Sequence, residues 1–145
     1  MARTALPVLF LLLYSALESR APVQAQAQAP APAPSCGPMG TAYMRTNLYF
    51  GLNRKGGSVR EAQWRAFLRD VVTPHFPQGL TVWEAGGQWR RADGAIVQER
   101  SKVLLLMHDD SPAVRASLTD IVERYKKSYQ QESVLWETAR VCAAF

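Results

Sequence analysis

Glu84 and Glu99 form a carboxylate pair that could supply general acid and base chemistry if the chain brought them together. A glycosidase pair needs a separation of about 5 to 9.5 Å. If Asp93-Gly94 forms a two-residue hairpin turn, Gln88 faces Glu99 and Glu84 faces Val103. Four residues along a strand then hold the carboxylates about 13 Å apart, and Gln88 with Glu99 reads as a cross-strand polar pair. Tyr49 is a different kind of candidate. It alternates with Asn47 and Arg45, and Trp89 and Lys102 reach its side of a sheet if the strand parities align. A phenol, an indole and an ammonium suit an anionic or aromatic small molecule, and equally an interface. The ligand-binding candidates are therefore Tyr49, Trp89, Lys102, Gln88 and Glu99.

Other chemistries lack their residues. His75 and His108 fall at unlike positions, one after a helix and one at a strand end. A catalytic zinc site normally takes three protein ligands, and neither an HExxH run nor paired-cysteine spacing is present, so no metal is expected. No GxSxG elbow occurs. Arg54-Lys55-Gly56-Gly57-Ser58 could hold an anion on backbone amides before a helix, but it lacks the P-loop pattern and reads as a basic surface turn. No cofactor is expected, and whether any reaction is catalysed stays open.

The 145 residues are 48% hydrophobic and 20% charged, with 9 glycines and 9 prolines. That composition excludes collagen-like and fully disordered chains and suits one globular domain. Lys and Arg number 17 against 12 Asp and Glu, a formal net charge of +5. The excess is spread along the chain with no tight basic block, so no nucleic-acid partner is expected.

Arg3 followed by the apolar stretch from Ala5 to Leu17 resembles the start of a secretory signal peptide. The stretch is shorter than the ~20 residues of a spanning helix. Val23-Gln24-Ala25 and Ala25-Gln26-Ala27 both fit a cleavage site, and cleavage after Ala27 is favoured. Residues 1–27 are thus expected to be a signal peptide. Residues 28–42, rich in Ala, Pro and Gln, read as an extended tether, and residues 43–145 as one domain. The expected location is periplasmic or secreted, with no stable membrane span in the mature chain.

Within that domain, Tyr43 to Leu52 reads as a strand. Ser58-Val59-Arg60-Glu61 has a capping-box pattern. Behind it Trp64, Phe67, Leu68, Val71 and Val72 recur at helical spacing until Pro74. Gly79 to Arg91 and Ala95 to His108 read as a hairpin. Ser111-Pro112 opens a second helix with the stripe Val114, Leu118, Ile121, Val122 and Tyr125, and Ser133 to Phe145 reads as a last strand. The order βαββαβ is that of a ferredoxin-like α+β fold, a four-stranded antiparallel sheet with two helices on one face. Its topology sets the end of the last strand beside the start of the first. Cys36 and Cys142 are thereby brought together, and an oxidising compartment would bridge them.

A sheet covered on one side leaves its other face open. Strand three is apolar on both faces, Leu104 and Leu106 alternating with Val103, Leu105 and Met107. The polar residues Lys102 and His108 share the parity of Leu104 and Leu106, so that set is assigned to the open face. A homodimer through it is expected, since large exposed apolar patches mark contact surfaces. The reading is of a non-enzymatic binding or self-associating module. The alternative is a small enzyme or ligand binder of the dimeric α+β-barrel type, with a pocket on the open face.

The segments TNLYFGL, WRAFLRDVVTPHFPQGLTVWEAGGQW, ERSKVLLLMH and YKKSYQQESVLWE together resemble the bacterial domain-of-unknown-function 3574 family, from about Thr46 to Glu137. The resemblance implies a small exported bacterial protein and assigns no activity.

Overall fold

The computed structural model describes residues 35–145. The expected signal peptide and the first part of the tether lie outside the described residues. After a 3-10 turn at Gly37–Met39, strand β1 (Thr41–Gly51) crosses the domain, followed by a two-rung ribbon of β2 (Asn53–Arg54) and β3 (Gly57–Ser58). Helix α1 (Glu61–Phe67) continues through a π-helical turn (Leu68–Val72) into α2 (Thr73–His75). A hairpin of β4 (Thr81–Arg90) and β5 (Ile96–His108) follows, then helix α3 (Pro112–Tyr129) and β6 (Leu135–Ala143). The main sheet is antiparallel in the order β4-β5-β1-β6, the split βαββαβ arrangement anticipated from the sequence.

Local signals explain the helix ends, with two corrections. Ser58 is not the first cap, because it pairs with Asn53 in the ribbon. The cap is Arg60, whose N–H donates to Gln63 Oε1 at 3.0 Å. Nor does Pro74 end the helix. The N–H of Thr73 reaches the Leu68 carbonyl, five residues back. This wider turn lets proline, which lacks an N–H, sit inside the last turn. Ser111 caps α3 as expected, its hydroxyl accepting from the Val114 N–H at 3.3 Å, with Pro112 in the first turn.

The hairpin loop has three residues rather than two. Arg91 N–H donates to the Ala95 carbonyl at 2.9 Å, and Gly94 N–H to the Arg91 carbonyl at 2.9 Å. Gly94 takes φ +85°, a left-handed conformation that closes three-residue hairpins. Every cross-strand pair therefore slips by one. Gln88 faces Gln98, Gly87 faces Glu99, Glu84 faces Lys102 and Val82 faces Leu104. The ladder runs unbroken through Gly86 and Gly87, with no bulge. A one-residue slip also exchanges faces. Glu84 and Glu99, three positions apart on paired rungs, now point to opposite sides of the sheet.

The faces themselves are the reverse of the sequence assignment. Leu104 and Leu106 are fully buried in the core with Leu48, Phe50, Trp64, Phe67, Leu118, Ile121 and Tyr125. Phe50 is its centre, with ring centroids 5.3 Å from Trp64, 5.7 Å from Phe67 and 4.5 Å from Tyr125. Lys102 and His108 share this helix-covered face despite their polarity, because each is paired there. Lys102 Nζ lies 2.8 Å from both Glu61 Oε2 of α1 and Glu84 Oε1.

Alkaline pH should weaken this core. The hydrogen bonds that Lys102 donates to Glu61 and then Glu84 raise its pKa. Burial raises those of Tyr125 and Tyr129. A folded pKa above its unfolded value contributes stability that is complete below the unfolded pKa. That contribution is lost as pH rises through the folded one. With unfolded values near about 10 for Tyr and Lys, urea midpoints should hold at neutral pH and fall steadily above about pH 10. A midpoint that stays flat there would contradict the pairing of Lys102 and the burial of both tyrosines.

Candidate functional site

The sheet face away from the helices carries three of the large exposed apolar residues, Trp83, Trp89 and Leu135. One row across all four strands reads Trp83, Val103, Tyr49 and Leu135. Val103 is already fully covered between its neighbours, whereas Trp83 is 41% and Leu135 62% exposed. Half-buried Leu105 sits in the next row beside Asn47 and Glu137. On the other side of the first row, two rows away, Gly87 pairs with Glu99, and in the row after that Trp89, 38% exposed, pairs with Val97. The alternation that buries Leu48, Phe50, Leu104 and Leu106 leaves these intervening residues outward.

Asn47, Tyr49 and Glu137 form the polar edge of the apolar row. The Asn47 amide and the Tyr49 hydroxyl, at 3.1 Å, both donate to Glu137 Oε1. These two hydrogen bonds, that from Asn47 first, hold the Glu137 carboxyl below the usual range. The Tyr49 pKa is raised, by burial first and then by its bond to Glu137. Asn47 Oδ1 is buried with no donor among the described residues. The cluster was not anticipated, since it depends on the β1–β6 register, which sets Asn47 directly opposite Glu137.

Beyond Tyr49 the face hollows into a cleft of about 750 Å³. Tyr49, Trp89, Gln88 and Glu99 all line it, so four of the five candidate residues meet at one place. Lys102 does not join them. The slipped register turns it toward α1, and both neighbouring carboxylates hold it there. Arg54 and Lys55, assigned to a basic surface turn, stand on the cleft wall. Their proximity is invisible locally because the ribbon meets the hairpin through residues distant in sequence, Asn53 bonding to Glu99 and Gln98.

The histidines occupy separate structural positions. His108 Nδ1 lies 2.6 Å from the Asp109 carbonyl oxygen, which can only accept, so Nδ1 carries the proton. Nε2 then accepts from the Thr46 hydroxyl at 2.8 Å. Thr138 lies 2.8 Å from Thr46 and accepts from the Trp136 indole at 2.8 Å, completing a polar chain. Thr46 is fully buried, so its hydroxyl has no access to a substrate. His75 contacts Asp120 at 3.1 Å on the surface. Among the described residues no three His, Cys, Asp or Glu side chains converge as a metal group. No described helix is long and apolar enough to cross a membrane.

The family described as "Protein of unknown function (DUF3574)" matches residues 45–145, most of the chain. No curated protein matches. Among solved structures, a phage SAM lyase in complex with S-methyl-5'-thioadenosine superposes with TM-score 0.55 at 13% identity, covering 72% of this chain and 93% of the lyase. Its apo state gives 0.52 at 12%, covering 72% and 92%. CutA from Synechococcus elongatus gives 0.49 at 12%, covering 73% and 83%. At these identities the lyase likeness shows a shared fold alone.

Proposed function

The chain belongs to the DUF3574 family, whose description assigns no activity, and we propose from its surfaces that it is an exported module that self-associates through its open sheet face. One observation carries this reading. Trp83 and Leu135 stay exposed in one row with Tyr49, on a face that none of the described helices covers. Burying such a row is favourable at about 25 cal/mol per Å² before association costs are subtracted. Asn47, Glu137 and Arg45 at its edge fit the polar rim of a contact rather than a solvated face. A second copy is the chosen occupant because the face offers both charge signs at its edge, Arg45 and Glu137, and can therefore complement itself. Trp83→Glu should convert the dimer to a folded monomer, read by light scattering and circular dichroism. A Trp83→Glu protein that keeps the wild-type mass would reject this face as the contact.

Export is supported by the disulfide, which suits an oxidising compartment, and by the signal-like residues 1–27. In this reading cleavage follows Ala27 and residues 28–42 tether the domain of residues 43–145, although Thr41 and Ala42 already pair with β6 as the start of β1.

A second reading has its own observation. The cleft that gathers Tyr49, Trp89, Gln88 and Glu99 favours a ligand binder or small enzyme with a pocket on the same face. A thermal-shift screen against unrelated small molecules tests it. A stabilising hit that Trp89→Ala abolishes would support the cleft, and stabilisation unchanged in Trp89→Ala would reject it.

A further inference from the structure

The cleft holds opposite charges that are kept from one another. Glu99 is half-buried, and its Oε1 accepts the Asn53 N–H at 3.0 Å. The carboxylate lies against Gly51, where a Cβ would stand 2.5 Å from Oε1, so glycine makes the room for it. Arg54 and Lys55 line the same cleft. None of the three takes part in an ion pair among the described residues, although most other acidic side chains of the domain do. Glu132 lines the cleft as well, and Arg91, a further lining cation, is paired with Asp93. A carboxylate and cations that share one cleft without an ion pair between them can both be satisfied by one bridging molecule. Trp89 and Tyr49 supply aromatic surface in the same space.

We propose that this cleft binds a small zwitterion of the amino-acid class carrying an apolar or aromatic side chain. Its ammonium would meet Glu99 and the ring faces, its carboxylate Arg54 and Lys55, and its side chain Trp89 and Tyr49. Charge-assisted hydrogen bonds and cation–π contact are the attractions. The volume lies in the usual range for small-ligand sites, about 300 to 1,000 Å³. A purely anionic ligand would meet the Glu99 carboxylate, and a purely cationic one Arg54 and Lys55. The proposal rests on the ligand-binding reading, and the cleft is complete within one chain.

Calorimetry on the oxidised protein tests it with three probes of one shape: L-phenylalanine, phenethylamine without the carboxylate, and 3-phenylpropionate without the ammonium. L-Phenylalanine should bind at least about tenfold more tightly than either. Lys55→Glu, at an exposed position, should weaken L-phenylalanine and 3-phenylpropionate and spare phenethylamine. Glu99→Gln should weaken L-phenylalanine and phenethylamine and spare 3-phenylpropionate, with circular dichroism confirming its fold. A single-charge probe that binds as tightly as L-phenylalanine and is lost in Trp89→Ala would overturn the zwitterion while leaving a ligand site. Absence of binding by all three overturns the proposal, and the thermal-shift screen then decides separately whether the cleft binds anything.

Discussion

Leu104→Glu should fail to fold, whereas Leu105→Glu, one residue further on, should remain a folded monomer. Leu104 is fully buried under the helices, between Leu48 on β1 and Val82 on β4. A carboxylate there loses its hydration, Lys102 on the same face is already held by Glu61 and Glu84, and the leucine contacts are lost as well. Either effect is a large fraction of a domain stability of about 5 to 15 kcal/mol. Leu105 is half-buried on the open face beside Asn47 and Thr81, where a glutamate keeps its water. Far-UV circular dichroism with urea titration separates the two variants. A cooperative native Leu104→Glu protein would show that the faces of β5 are assigned the wrong way round.

Removing the Cys36–Cys142 bridge should cost about 4 kcal/mol, near the upper part of the usual range for native disulfides. The bridge spans 106 residues, with Cα atoms 5.5 Å apart, and ties the segment before β1 to the end of β6. Without it the unfolded chain regains the entropy of a loop nearly as long as the domain. The paired variant Cys36→Ser/Cys142→Ser avoids leaving one free thiol. Its urea midpoint should fall well below that of the oxidised protein and match that of the reduced wild type. Equal midpoints for the oxidised protein and the double variant would mean that the bridge constrains nothing in the unfolded chain.

The order of the four main strands and two main helices and both helix faces were legible in the sequence because each follows from local patterns, and the disulfide because that order fixes the topology. Trp64, Phe67 and Val72 recur at helical spacing and are buried, as are Leu118, Ile121 and Tyr125. The cysteines meet because the split topology sets β6 against β1. The faces of the sheet were not legible, for two physical reasons. Asp93-Gly94 suits a two-residue turn and a three-residue turn alike, and the side chain of Asp93 accepts the Ala95 N–H at 3.0 Å in the longer one. Polarity was also equated with exposure at Lys102 and His108. Burial of Lys102 is offset by Glu61 and Glu84, and that of His108 by Thr46 and the Asp109 carbonyl. The opposite charges of Glu84 and Lys102, directly across the hairpin, were the available clue to the true register. Tyr49 falls on the open face as its alternation with Leu48 and Phe50 allowed, whereas Trp89 reaches that face through the slipped register, which separates it from Lys102 and Leu104. The place of Glu99 against Gly51 depends on the pairing of two distant strands and carries no local signal.

Sedimentation equilibrium of the oxidised wild-type domain at micromolar concentration, run beside Leu105→Glu, tests most directly whether the open face is a contact surface. The wild type should sediment as a dimer and Leu105→Glu as a monomer. A wild type with the mass of one chain, or a Leu105→Glu protein that stays dimeric, would contradict self-association through this face.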